Sequence, residues 1–225
     1  MIAVSPPTPF TPAQLRERVQ EILAAGLLPT IVQAGHPVLR QQAAAFEGQI
    51  SDSELQQLIV LMRNVMHEAP GVGLAAPQIG IPLQLAVLED QFDVDPEAAA
   101  VRHRMPLDFL AILNPRYAPL GDETAAFFEG CLSLSGLQAV VVRHERVLLT
   151  YETPESRGAE QEFNGWQARI VQHETDHLQG TLYVDRAELR SLSSNAEYAA
   201  NWAEPGIGKA RAALGFLPEY PGAPT

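Results

Sequence analysis

An α+β fold is expected for this chain, with antiparallel or mixed β-sheets packed around a central helix that carries His-Glu-x-x-His. Three observations predict it. Helical patterns come first, strand-like runs follow in a block, and one more helix comes after them, an order unlike alternating βαβ units. That late helix places Trp166, Ile170, His173 and His177 at i, i+4, i+7 and i+11, so two histidines fall inside an otherwise apolar stripe. The 225 residues are 46% hydrophobic and 19% charged, which suits a globular domain large enough to bury its own core.

Taken in order, residues 1–10 are Pro-rich and read as loose. Thr11-Pro12-Ala13-Gln14 then starts a helix, with Thr11 as N-cap, Pro in the first turn and Gln three residues after the cap. Leu15, Val19, Ile22 and Leu23 form its stripe, and Gly26 ends it. Residues 1–30 therefore read as an N-terminal extension with one helix. A second helix opens at Ser51, with Glu54 closing a capping box and Leu55, Leu58, Ile59, Met62 and Met66 as its stripe, and ends near His67. Strands are expected at Gln84–Leu88, Phe109–Leu113, Gln138–Val142 and Arg146–Tyr151, which are rich in β-branched and large apolar residues. The stretch from Glu89 to Leu107 reads as an acidic loop. The motif helix should run between Asn164 as N-cap and Gly180 as stop. Residues 31–186 make the main domain, and 187–225 a C-terminal tail of one or two short helices, broken at Pro205-Gly206 and packed on it. Glycine and proline cluster again at the C-terminus.

Composition excludes several classes. No apolar run is long enough to span a bilayer, and the N-terminus is a poor secretion signal. A single cysteine, Cys131, allows no intramolecular disulfide and fits a reducing cytoplasm. A net charge of −12 argues against a broad nucleic-acid-binding face.

His173-Glu174-Thr175-Asp176-His177 carries its own mechanism. On a helix, two histidines four apart share a face and can converge on one metal ion, and Glu174 between them can serve as base toward an activated water. The same pattern also arises as a solvated charged face, and a lone cysteine is most often a small buried hydrophobe. The two histidines within an apolar stripe favour ligands, and Cys131 in Glu129-Gly130-Cys131-Leu132-Ser133 makes a third, leaving a coordination position open.

Three motifs occur in order: Gly71-Val72-Gly73-Leu74-Ala75-Ala76-Pro77-Gln78, then Glu129-Gly130-Cys131-Leu132-Ser133, then Gln172-His173-Glu174-Thr175-Asp176-His177-Leu178. Together they resemble the peptide deformylases, from about Ile31 to about Arg186. Gly35-His36-Pro37-Val38-Leu39-Arg40 resembles the family's opening segment, and Gly180-Thr181-Leu182-Tyr183-Val184-Asp185-Arg186 its usual sequel to the site helix. The resemblance implies a metal-dependent hydrolase that removes formyl from the N-terminal methionine of new polypeptides. It implies one divalent metal per chain on Cys131, His173 and His177, typically Fe²⁺ in cells, with Zn²⁺, Ni²⁺ or Co²⁺ equally suited to the ligands. It makes Glu174 the general base and acid, and assigns the oxyanion to the Gln78 side-chain amide and the Leu132 N–H. It places Gly73, Val72, Phe127, Trp166, Arg169 and Ile170 around the substrate methionine, and suggests a Glu129–Arg143 pair. Asp176 is read as orienting a site histidine or as solvated. His36, His67, His103 and His144 lie outside the motifs and read as surface or turn residues.

Some features depart from the family's pattern. Many relatives carry Arg where Gln138 stands, which bears on how the peptide beyond methionine is held. After Arg190 only Lys209 and Arg211 are cationic, so docking at the ribosome near the nascent-chain exit has little support from the tail. Three other readings compete. Gly71 to Ala76 formally fits G-x-G-x-x-A, but it follows a helix rather than a strand and Pro77 would break the helix it should open. A metallopeptidase would take a third ligand downstream, from Glu188, Glu197, Glu204 or Glu219. A non-catalytic metal-binding module would need a fourth protein ligand and leave Glu174 idle.

Overall fold

A computed structural model describes residues 10–155 and 157–218, so the expectations for residues 1–9 and for the C-terminal Gly/Pro cluster lie outside the described residues. Helix α1 (Pro12–Ala24) begins at the expected capping box: the Gln14 N–H donates to Thr11 Oγ1, and the Thr11 N–H to Gln14 Oε1. Helix α2 (Asp52–Glu68) uses the same device through Ser51 and Glu54. Leu15, Val19 and Ile22 of α1 pack with Leu55, Leu58, Ile59 and Met62 of α2 in one core. Full burial of one such side chain favours folding by about 1.5–3 kcal/mol.

Among the described residues, eight strands form two antiparallel sheets. One has five strands in the order β1 (Gly73–Ala75), β2 (Leu85–Asp90), β3 (Leu107–Pro119), β6 (Arg146–Glu152) and β7 (Gly158–Asn164). The other has three, β4 (Thr124–Gly130), β5 (Leu137–His144) and β8 (Ser193–Ser194). Helix α4 (Gly165–Leu178) contacts strands of both sheets and is the central helix of the fold. Its Ala168, Ile170, Val171 and Leu178 share a second core with Ala86, Leu88, Ile112, Val147 and Leu149. After Leu178 the chain turns at Gly180, whose φ of +75° and close approach to the Arg40 backbone require glycine.

The α+β reading holds, while several elements differ in detail. Asn164 stands at the N-cap of α4, but its side chain makes no capping bond. The expected loop from Glu89 to Leu107 contains a helix, α3 (Pro96–Val101), capped by Asp95 Oδ1 accepting from Glu97 and Ala98 N–H. The Asp95-Pro96-Glu97 start was its signal. β3 runs well past Leu113. Pro115 lies inside a register shift between Leu113 and Arg116, where a missing N–H is tolerated. β4 has no β-branched residue beyond Thr124 and was not expected as a strand. β7 is a polar edge strand with little apolar alternation, as edge strands often are. The C-terminal part holds β8, a short helix α5 (Asn195–Glu197) continuing as a wider π turn over Tyr198–Trp202, and α6 (Gly208–Leu214).

Candidate active site

The site is assembled where the edges of the two sheets approach α4. β1 and β4 are both edge strands. The 3₁₀ turn after β1 (Ala76–Ile79) carries Gln78, and the turn after β4 carries Cys131 and Leu132. Cys131, His173 and His177 each offer a ligand atom, and these atoms lie within 4.8 Å of one another. Cys131 Sγ is 3.2 Å from His177 Nε2. Among the described residues no other His, Cys, Asp or Glu joins the group, so neither a downstream glutamate nor a fourth protein ligand closes the shell. Glu219 lies outside the described residues.

Glu129 holds the site from behind. Its carboxylate accepts from Arg143 Nε at 2.6 Å and Nη2 at 3.0 Å, and from Arg169 Nη1 at 2.6 Å, and it lies 3.0 Å from His173 Nδ1. That last contact leaves the other ring nitrogen of His173 able to ligate a metal. Burial works to raise the Glu129 pKa, but Arg143, the His173 bond and Arg169 outweigh it and hold it well below the usual range. Among the described residues the Asp176 carboxylate bonds no site histidine, and it does not face solvent. It is buried, accepts from Arg143 Nη1 at 2.9 Å and Tyr117 Oη at 3.1 Å, and pairs with Arg186. Nothing in the local sequence pattern pointed to Tyr117 as its partner.

Glu174 is 4% exposed, and burial raises its pKa to about 7. Its Oε2 is buried with no hydrogen-bond partner among the described residues. An unpartnered buried carboxylate oxygen costs free energy unless a ligand or water meets it. Beside it runs Gly73. A Cβ there would stand 2.3 Å from Glu174 Oε1, so only glycine lets the strand pass the carboxylate.

Gln78 is 1% exposed, and its Oε1 is fixed by the Ala75 N–H at 2.8 Å. That bond turns its amide Nε2 toward Ser133 Oγ, at 3.3 Å, and Cys131 Sγ, at 3.7 Å. The Leu132 N–H has no acceptor among the described residues.

These groups open on a cavity of about 600 Å³. Val72, Gly73, Trp166 and Ile170 line it. Phe127 does not. It is buried behind Trp166, edge-on at 6.2 Å between ring centroids. Arg169 reaches the cavity, but its guanidinium is committed to Glu129, to the Val141 carbonyl at 2.9 Å and to the Ala125 carbonyl at 2.6 Å. It braces the wall. Residues that the motifs did not flag, among them Arg102, Asn195 and Tyr198, also line the space. The G-x-G-x-x-A reading is overturned by the geometry: Gly73–Ala75 is a strand, and the residues after it form a 3₁₀ turn rather than a helix.

The polypeptide deformylase family profile matches residues 28–192. Peptide deformylase 3 of Streptomyces avermitilis is 52% identical over 215 residues, covering 95% of this chain and 96% of the relative. The human mitochondrial peptide deformylase is 36% identical over 169 residues, covering 73% of this chain and 70% of the relative. A Met-Ala-Ser-bound peptide deformylase of Acinetobacter baumannii superposes with a TM-score of 0.64 at 31% identity, over 71% of this chain and 98% of that one. By sequence and by fold, the chain belongs to the peptide deformylase family, the metal-dependent hydrolases that remove N-formyl groups from newly made polypeptides.

Proposed function

We propose that Cys131, His173 and His177 hold one divalent ion and that Glu174 moves the proton in hydrolysis of N-formylmethionyl peptides. The observation that carries this is the buried, unpartnered Glu174 Oε2 next to three convergent ligand atoms. The donor set fits a metal, since one thiolate and two imidazoles suit Fe²⁺, Zn²⁺, Ni²⁺ or Co²⁺ and leave a position open. Family resemblance favours Fe²⁺. The ion supplies Lewis acidity that makes water a nucleophile near neutral pH.

The chain's own residues do the rest. Glu174 takes a proton from the attacking water as the new C–O bond forms at the formyl carbon. The Gln78 amide and the Leu132 N–H donate to the developing oxyanion. Glu174 then returns the proton to the nitrogen as the C–N bond breaks, releasing formate and the free amine. Val72, Gly73, Trp166 and Ile170 form the wall for the methionine side chain, whose flexible thioether suits an apolar pocket. Among the described residues no strand lies outside β1 or β4, and both edges flank the cavity, where an extended peptide can pair with them. A Met-Ala-Ser ligand in the Acinetobacter relative supports a peptide in this cleft.

Formate release tests the reading. Protein loaded anaerobically with Fe²⁺ or Ni²⁺ should release formate from formyl-Met-Ala-Ser and spare the acetylated peptide. A folded, metal-loaded protein that cleaves neither, or both equally, is incompatible with it. Two variants probe the geometry. Gly73→Ala should displace Glu174 and lower kcat about 10²-fold with metal content unchanged, since misplacement by about 1 Å can cost that much. Wild-type kcat in that variant would show that Glu174 needs no fixed position. Gln78→Ala should lower kcat by about 10²–10³-fold, the usual effect of losing one oxyanion donor. A change confined to KM would remove Gln78 from that role.

A further inference from the structure

The C-terminal segment returns to the cleft and forms part of its wall. β8 adds to β5, with Ser194 opposite Leu137 and Ser193 opposite Gln138. On its other side Gln138 faces Gly130 of β4, the residue before Cys131. A Cβ on Gly130 would lie 3.6 Å from Gln138 Cγ, so the glutamine side chain lies over the glycine. The Asn195 N–H donates to the Gly136 carbonyl at 2.9 Å, and Gln138 Nε2 donates to Asn195 Oδ1 at 3.1 Å. Both residues line the same cavity as Cys131, His173 and Glu174. Among the described residues, Gln138 Oε1 and Asn195 Nδ2 have no hydrogen-bond partner. The linked amides therefore offer the cleft one neutral acceptor and one neutral donor.

The segment is held in place from behind. Tyr198, also in the wall, meets Phe128 edge-on at 5.0 Å. Ile207, Ala210 and Phe216 pack with Phe128 and Val140. Arg102 donates from Nε to the Pro205 carbonyl at 2.9 Å and from Nη2 to the Glu204 carbonyl at 3.0 Å. Fixed elements position a binding group better than a free loop does.

We propose that Asn195, linked to Gln138, is a specificity-determining residue that engages the substrate beyond its formyl-methionine. A donor beside an acceptor matches the C=O and N–H of a peptide unit. A neutral pair also leaves the charge of the downstream side chains unselected. The proposal rests on the cavity being the formyl-peptide cleft.

The test compares wild type with Asn195→Ala on formyl-Met-amide and on formyl-Met-Ala-Ser. Asn195 is exposed, so the variant should fold. Its loss of kcat/KM on the tripeptide should exceed its loss on the amide by about 3–10-fold, carried mainly by KM. Equal losses, or none, overturn the proposal. Asn195→Asp adds a charge readout. It should shift the kcat/KM ratio of formyl-Met-Ala-Lys to formyl-Met-Ala-Glu several-fold toward Lys, and the shift should shrink at high salt. An unchanged ratio counts against the proposal. A wild-type protein silent on every formyl substrate would remove the cleft reading and the proposal with it.

Discussion

Replacing Glu174 by glutamine is expected to lower kcat on formyl-Met-Ala-Ser by roughly 10²–10⁴-fold while metal binding persists. The amide keeps the shape of the carboxylate in its tight place against Gly73 but cannot accept the water's proton. Because Glu174 is not in the three-residue ligand group, its loss should leave the ion in place. Kinetics with metal analysis on the same sample check both halves. Full activity with bound metal would eliminate Glu174 as the proton carrier. Lost activity with lost metal would make it a structural residue of the centre.

The second large effect is expected at Glu129. Glu129→Gln removes the charge that Arg143 and Arg169 share, although these arginines and Glu129 are all at most 6% exposed. Asp176 still pairs with Arg143, but Arg169 loses its carboxylate partner. Breaking a buried pair by neutralising one member costs about 3–5 kcal/mol, because the remaining charge stays desolvated. Metal affinity should also fall about 10–100-fold, since His173 loses the carboxylate that orients its ring. Urea titrations of the metal-free proteins isolate the stability term, and an unchanged midpoint would refute it. The pH dependence has a definite sign. The folded pKa of Glu129 is depressed below the ordinary 4.5, so its stabilisation is present above that value. It is lost as pH falls through 4.5 toward the folded pKa. Wild type should therefore lose stability on acidification more steeply than Glu129→Gln.

The elements that sequence pattern located share a physical cause. α1 and α2 combine capping boxes with regular apolar stripes, and both signals are local. The pairing of His173 with His177 could be read locally because a helix fixes their relation, while Cys131 was joined to them by the short motif around it and by family resemblance. Elements defined by distant partners were harder to read. β4 lacks both β-branched residues beyond Thr124 and a regular alternation, and its strand character comes from pairing with β5 along its whole length. β7 is polar and exists as the last strand of a sheet. The burial of Asp176 depends on Tyr117, Arg143 and Arg186, which reach it from β3, β5 and the segment after the 3₁₀ turn at Tyr183–Asp185. Phe127 and Phe128 alternate across β4. Phe128 lines the cavity whereas Phe127 packs behind Trp166, and the family pattern had assigned Phe127 to the pocket. Asn195 enters the cleft through the pairing of β8 with β5, a contact nearly 60 residues apart in sequence that no local signal announces.

The most direct measurement is a titration of the metal-free protein with Ni²⁺ under anaerobic conditions, following formate release from formyl-Met-Ala-Ser. One ion on Cys131, His173 and His177 predicts a rate that rises in proportion to added metal and levels off at one equivalent per chain. A rate indifferent to metal, or one that keeps rising to two equivalents, would contradict the single-metal deformylase centre.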